Sequence, residues 1–181
     1  MLAQYYKKYK SISTVPNHKT LNKRLMSDAE NAEYSESYQK NVMAKHSAWQ
    51  TYSSNIAIIQ NYVKDVITSI PGLNEQYWKD NCWNHIETWF SKYDHDEYAR
   101  EHCHYPHAWG WVYFVNTPEG SSPLILSKSN TEIDAVAGKI VIFNAGINHH
   151  VPINKCLNRI VLAGNVGFDR NLHSAKLEMS M

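Results

Sequence analysis

The sequence predicts an α+β protein with a mainly β core, and three observations carry that reading. The first third of the chain has helical periodicity, and the remainder is made of short runs rich in aromatic and β-branched residues. Turn material separates those runs. The chain is 181 residues long, the size of one ordinary domain. Hydrophobic residues make up 43% of it and charged residues 19%, so it can bury a core and is not a disordered, highly charged chain.

Taken in order, residues 1–26 carry Lys7, Lys8, Lys10, Lys19, Lys23 and Arg24, with no acid before Asp28. This segment is expected to be a basic N-terminal arm, solvated or docked on an acidic protein partner or a second subunit in a homo-oligomer. Residues 27–181 are expected to form one domain, with a helical part at 27–80, a β core at 81–170 and a tail at 171–181. Ser27-Asp28-Ala29-Glu30 has the form of a capping box. Tyr38, Val42, Trp49 and Tyr52 then recur at helical spacings, so a helix is expected from Asp28 onward. A second helix starts near Ser53 or Ser54, carries Ile56, Ile59, Val63, Val66, Ile67 and Ile70, and stops at Pro71-Gly72. Strands are expected at Trp83–Tyr93, Trp109–Asn116, Leu124–Leu126, Thr131–Val136, Lys139–Phe143 and Arg159–Val166, which argues a β-sandwich or barrel.

Eighteen Lys and Arg against 17 Asp and Glu leave a net charge of +1, which excludes a globally basic nucleic-acid binder. The opening residues and the longest apolar stretches are far too short for a signal peptide or a membrane span. Cys82, Cys103 and Cys156 are an odd count, suited to a reducing compartment, so a cytoplasmic protein is expected. No Cys-x-x-Cys pair, phosphate-binding glycine loop, dinucleotide fingerprint or serine nucleophile elbow is present.

Ten histidines are the unusual entry in the composition. Glu101-His102-Cys103-His104-Tyr105-Pro106-His107 places three of them directly before a strand. His102 and His104 are two residues apart, so on an extended chain both imidazoles leave the same face and can grip one metal ion. Cys103 between them is expected to point the other way, as a buried apolar side chain. His107 is out of phase, a rim residue or hydrogen-bond donor. A third ligand has to come from elsewhere, and His149-His150 is the obvious source. His18, His46, His85, His95 and His173 read as incidental.

From Ile86 to Val166 the chain resembles the 2-oxoglutarate and Fe(II)-dependent oxygenase family. The resemblance rests on Thr88-Trp89, His102-x-His104, Gly110-Trp111-Val112-Tyr113-Phe114 and Pro118-Glu119-Gly120-Ser121, followed by Gly138-Lys139-Ile140-Val141-Ile142-Phe143. It implies a double-stranded β-helix, a cupin-like jelly roll, preceded by N-terminal packing helices. It also implies the cofactors Fe(II) and 2-oxoglutarate, with O₂ as co-substrate. The metal would be held by His102, His104 and His149, the last of these lying six residues after Phe143 as the family's distal histidine does. Arg159, opening the last core strand, would pair with the distal carboxylate of 2-oxoglutarate through its planar fork. Trp89, Tyr93, Trp109 and Trp111 are candidate pocket walls.

Two departures bear on activity. His104 stands where the family has a carboxylate, and Asp94 and Asp96 are the nearest aspartates that could compensate. Phe114 replaces a tyrosine, so Tyr113 is the expected oxoacid-binding hydroxyl, with Tyr93 as the alternative, depending on the face each occupies. A four-ligand cupin is disfavoured, because Ala108 or Trp109 stands where its first motif requires Glu. Two other functions compete: a three-histidine zinc enzyme, and a non-catalytic structural or binding protein on an oxygenase-like fold, such as a phage particle component.

Overall fold

The structure is a computed structural model that describes residues 9–35, 41–171 and 173. Strand β1 (Lys10–Thr14) leads into helix α1 (His18–Glu30), followed by short strands β2 (Tyr34–Ser35), β3 (Val42–Met43) and β4 (Lys45–Ser47). Helices α2 (Ser54–Thr68) and α3 (Glu75–Asp80) precede the β core. That core comprises β5 (Trp83–Tyr93), β6 (Tyr98–His102), β7 (Trp109–Asn116), β8 (Leu124–Leu126) and β9 (Thr131–Ile133). It ends with β10 (Lys139–Asn144), β11 (His149–Val151) and β12 (Arg159–Phe168). Two antiparallel sheets result among the described residues. The major sheet has the order β1-β10-β7-β12-β5-β4-β2 and the minor sheet β3-β6-β11-β8-β9. This is the jelly roll that the family resemblance implies, and it agrees with the sandwich or barrel expected from the strand pattern.

The central strands of the major sheet are buried on both faces, and alternation divides their side chains between two cores. Trp109, Trp111, Tyr113 and Val115 of β7 pack with Ile140, Ile142, Ile160 and Leu162 against the helices. Leu21, Leu25 and Ala29 of α1 and Ile56, Ile59, Val63 and Ile67 of α2 complete that layer. The intervening residues Val112, Phe114, Val141, Phe143, Val161 and Ala163 face the minor sheet, against Leu124, Leu126, Ile133 and Val151. A strand apolar on both sides shows no polar alternation, which is why Trp109–Val115 reads as one continuous hydrophobic run.

The second helix has the expected start, with Ser53 accepting from the Ile56 amide at 3.1 Å. The helix expected from Asp28 is not there. Ser27-Asp28-Ala29-Glu30 is the last turn of α1 rather than its first, and Val42 lies in a strand. Trp49 and Tyr52 sit in the connection before α2, 41% and 74% exposed. Tyr38 lies outside the described residues. The carboxylate of Asp28 instead accepts from Ser53 Oγ at 2.5 Å and Asn55 Nδ2 at 3.0 Å. It therefore ties the end of α1 to the start of α2, where a negative charge is favoured.

The basic arm also needs correction, at least over the described residues 9–26. Residues 10–14 form the edge strand of the major sheet, paired with β10 from Lys10↔Phe143 to Thr14↔Lys139. Ladder hydrogen bonds rather than apolar burial hold it: its half-buried positions include Ser11 and Ser13, while Ile12 is exposed. Lys7 and Lys8 fall outside the described residues, as does the tail apart from Asn171 and His173.

β5 also carries a cost. His85 packs between Trp78 and Trp111, ring centroids 6.0 and 6.3 Å away. Burial lowers its pKa to about 4, because the imidazolium would lose its hydration there. The unfolded chain therefore takes up a proton near pH 6.5 that the folded chain refuses until about pH 4. The thermal unfolding midpoint should be level above about pH 6.5 and fall as pH drops toward 4. His85→Gln should flatten that slope in pH-dependent melting curves, and an unchanged slope would refute the assignment.

Candidate metal centre

Two backbone registers bring the expected histidines together. β6 ends on His102 and β11 begins on His149, and the two are direct partners in the antiparallel pair. His104 follows in the loop after β6, where its amide donates to the Ala145 carbonyl at 2.8 Å. Gly110 on β7 makes room for it. A Cβ there would stand 3.2 Å from His104 Cγ and 2.8 Å from the Phe143 ring. His102, His104 and His149 each offer a nitrogen within 4.8 Å of the others. Cys103 is exposed rather than buried, the outward residue of a chain that has left the sheet.

The hydrogen bonds fix which nitrogens can bind a metal. A carbonyl oxygen only accepts, so Nδ1 of His102, 2.7 Å from the Arg100 carbonyl, carries a proton. Nδ1 of His149 does the same 3.1 Å from the Ile147 carbonyl. For His104 the reasoning runs one residue further. The Glu87 carboxylate accepts only, so the Asn165 amide nitrogen faces it, at 2.6 Å. The amide oxygen of Asn165 then faces His104 Nδ1, which must donate. All three rings are thus protonated at Nδ1, and each presents a bare lone pair at Nε2.

Two of those lone pairs, on His104 and His149, lie 3.2 Å apart. With both Nδ1 atoms protonated there is no proton left to form a hydrogen bond between neutral rings. Protonating the cluster is also disfavoured. Burial lowers His104 to about 4, the bond to Asn165 working the other way. Burial likewise holds His149 well below the ordinary histidine value and lowers His102. His104 is 8% exposed and His149 3%. Lone pairs that converge in a desolvated place need a cation between them. A metal–imidazole bond of about 2.1 Å lets one first-row ion touch both nitrogens of the closest pair.

A cleft of about 360 Å³ opens over the cluster, walled by Trp49, Trp89 and Tyr105, with Glu87 and His107 at its side. His107 lies on the rim of this cleft, its Nε2 3.4 Å from Glu87 Oε2. His150 turns away to Ser127 Oγ at 3.1 Å. His46, read as incidental, is buried behind the cleft, stacked on Trp89 at 5.3 Å.

The inward row of β12 runs from Arg159 through Val161 and Ala163 to Asn165. Arg159 is 1% exposed. Its Nε donates to the Ser122 carbonyl at 3.0 Å, and its guanidinium lies 4.6 Å over the Tyr93 ring and 5.6 Å from the Phe114 ring. Nη1 has no hydrogen-bond partner among the described residues. Among the described residues the groups that bear on its charge are Tyr93 and Cys156, against a pKa lowered chiefly by burial. A buried, half-satisfied guanidinium at one end of a row whose other end touches His104 fits a carboxylate of a small diacid.

Tyr113 does not share this face. It belongs to the helix-side core, where its hydroxyl donates to Asn22 Oδ1 at 2.5 Å, and Trp109 and Trp111 lie on that side too. One-residue parity on β7 decides this, and Tyr93 is the tyrosine beside Arg159. Asp94 is held in a turn by Lys45 at 3.2 Å and the Asn158 amide at 2.9 Å, so it is not the compensating carboxylate. Glu87 and Asn165 were not anticipated. The signal was there, since Glu87 has the parity of Trp89 on β5 and Asn165 that of Arg159 on β12.

No family model and no curated protein matches the chain. Solved structures do match. The viral collagen prolyl hydroxylase of Paramecium bursaria Chlorella virus-1, in its 2-oxoglutarate complex, superposes with a TM-score of 0.67 at 14% identity, covering 88% of this chain and 96% of that one. A Pseudomonas putida prolyl-4-hydroxylase gives 0.68 at 15%, covering 93% and 97%. HygX from Streptomyces hygroscopicus, with nickel, 2-oxoglutarate and hygromycin B bound, gives 0.61 at 8%, covering 93% and 85%. At these identities the likeness establishes the fold, the double-stranded β-helix of 2-oxoglutarate/Fe(II) oxygenases. No helix among the described residues is long and apolar enough to cross a membrane.

Removing one of the three imidazoles should weaken Co(II) binding by more than the roughly 100-fold that losing a supporting hydrogen-bond partner costs. Calorimetric titration of His104→Ala and His149→Ala checks this. Tyr113→Phe should bind Co(II) as the wild type does, while losing about 1–2 kcal/mol of unfolding free energy with the Asn22 bond.

Proposed function

We propose that the chain is an Fe(II)- and 2-oxoglutarate-dependent oxygenase whose iron is held by His102, His104 and His149. The observation that carries this reading is the convergence of three Nε2 lone pairs beneath a cleft, two of them on buried rings, on the same inward surface as a half-satisfied arginine. An oxygenase needs a few protein ligands on one side of the ion, leaving positions for the oxoacid and O₂. When bound, the iron would supply the redox chemistry in which 2-oxoglutarate is decarboxylated to succinate while the substrate gains one oxygen atom.

The chain's own residues contribute binding, orientation and exclusion of water. Arg159 offers Nη1 to the distal carboxylate of the oxoacid, in a place where the Tyr93 and Phe114 rings shield the pair from solvent. Val161 and Ala163, between Arg159 and Asn165 on that row, present only short aliphatic side chains. Asn165 and the backbone carbonyls of Arg100 and Ile147 hold the three imidazoles in one tautomer, so each presents a lone pair and none a proton. The substrate enters over Trp49, Trp89 and Tyr105, which exclude water from the reacting side. The two prolyl hydroxylases and HygX support the fold and the chemistry without identifying that substrate.

Three neutral nitrogen donors also suit Zn(II). The decisive experiment adds 2-oxoglutarate to Fe(II)-loaded protein without oxygen. A visible metal-to-oxoacid charge-transfer band is expected, and Arg159→Ala should weaken the oxoacid affinity read from it by about 10- to 100-fold, the worth of a hydrogen bond to a charged group. No band in the wild type, together with stoichiometric zinc that resists exchange, would favour the zinc enzyme.

A further inference from the structure

Three imidazoles bring no negative charge to a divalent cation, yet the chain places a carboxylate two hydrogen bonds away from one of them. Glu87 Oε2 accepts from Asn165 Nδ2 at 2.6 Å, and Asn165 Oδ1 accepts in turn from His104 Nδ1. Asn165 is 4% exposed, and both ends of its amide are used in this chain. Glu87 and Asn165 are direct cross-strand partners between β5 and β12, so the central ladder of the major sheet sets the alignment. Glu87 is itself only partly accessible, with a side chain 31% exposed, and His107 Nε2 lies 3.4 Å from its Oε2.

The charge has a physical route to the metal position. A carboxylate polarises the amide that donates to it, and the polarised amide draws harder on the His104 N–H. Electron density on the far nitrogen of the ring rises accordingly, which strengthens His104 Nε2 as a donor. Metal-binding histidines are commonly oriented and strengthened by such an outer acceptor. We propose that Glu87, acting through Asn165, supplies the negative charge that the metal site lacks among its own ligands. Glu87 is then a positioning residue: it sits at the side of the cleft and works through His104. The inference rests on the three histidines being the metal site and is independent of which reaction that metal serves.

A structural role and an electrostatic one separate cleanly by substitution. Glu87→Gln keeps an oxygen that accepts from Asn165 and removes only the charge. Glu87→Gln combined with Asn165→Asp restores the charge one side chain nearer the metal, with a bond available on each side: the new carboxylate accepts from His104 and from the new amide. Co(II) titration followed by its visible absorption is the readout, with thermal melting to confirm that each variant is folded. Glu87→Gln should lower Co(II) affinity by about 10- to 100-fold, and the double variant should recover at least the wild-type value. Wild-type affinity in Glu87→Gln, or a double variant as weak as the single one, overturns the inference and leaves the metal site standing. A wild-type protein that binds no Co(II) overturns both.

Discussion

The two-residue alternation of β12 is the constraint on which the rest of this structure depends. The strand lies in the middle of the major sheet, between β5 and β7, and is buried on both faces. Ile160, Leu162 and Val166 fasten it to the helix side. Arg159, Val161, Ala163 and Asn165 form its inward row, so one strand contributes both the guanidinium and the amide that orients His104. A slip of one residue in register would exchange these rows and bury Arg159 among the helix-side isoleucines. The helices therefore matter to the site without touching it: the apolar layer they cover keeps the other parity facing inward.

Desolvation plays opposite roles at the two ends of that row. At the histidine end it keeps imidazoles neutral, which a metal ligand must be. At Arg159 it leaves a permanent charge with few partners, which is costly. Small aromatic walls serve both, Phe143 beside His104 and His149, and Phe114 beside Arg159. The same low-dielectric interior thus holds a neutral imidazole cluster and a charged guanidinium on one inward surface.

Much of this was legible in the sequence because the features are local. Strand positions from Trp83 onward follow from β-branched and aromatic runs between turns, and His102-x-His104 announces itself by spacing. What escaped detection depends on pairing across the chain. β1 has serines at its half-buried positions and is held by a ladder with residues more than a hundred positions away, so no window of sequence contains its reason for being a strand. β6 has the polar sequence Tyr98-Ala99-Arg100-Glu101-His102 and faces the core through Ala99. The family resemblance points to Tyr113 or Tyr93 for the oxoacid, depending on the face each occupies, and parity on β7 sends the Tyr113 hydroxyl to Asn22. The same parity, applied to β5 and β12, would have found Glu87 and Asn165.

The pairing of β1 with β10 also bears on how the chain is made. A ribosome releases residues 10–14 long before Lys139–Asn144 exist, so the first strand emerges with its partner still unwritten. Until then the helices and the early strands must assemble without that edge, and the closing of the ladder is the entropically expensive, long-range step that comes late. The short, serine-containing character of the segment suits that wait: it is a strand that a nascent chain can carry for some time without offering a sticky apolar edge to its neighbours.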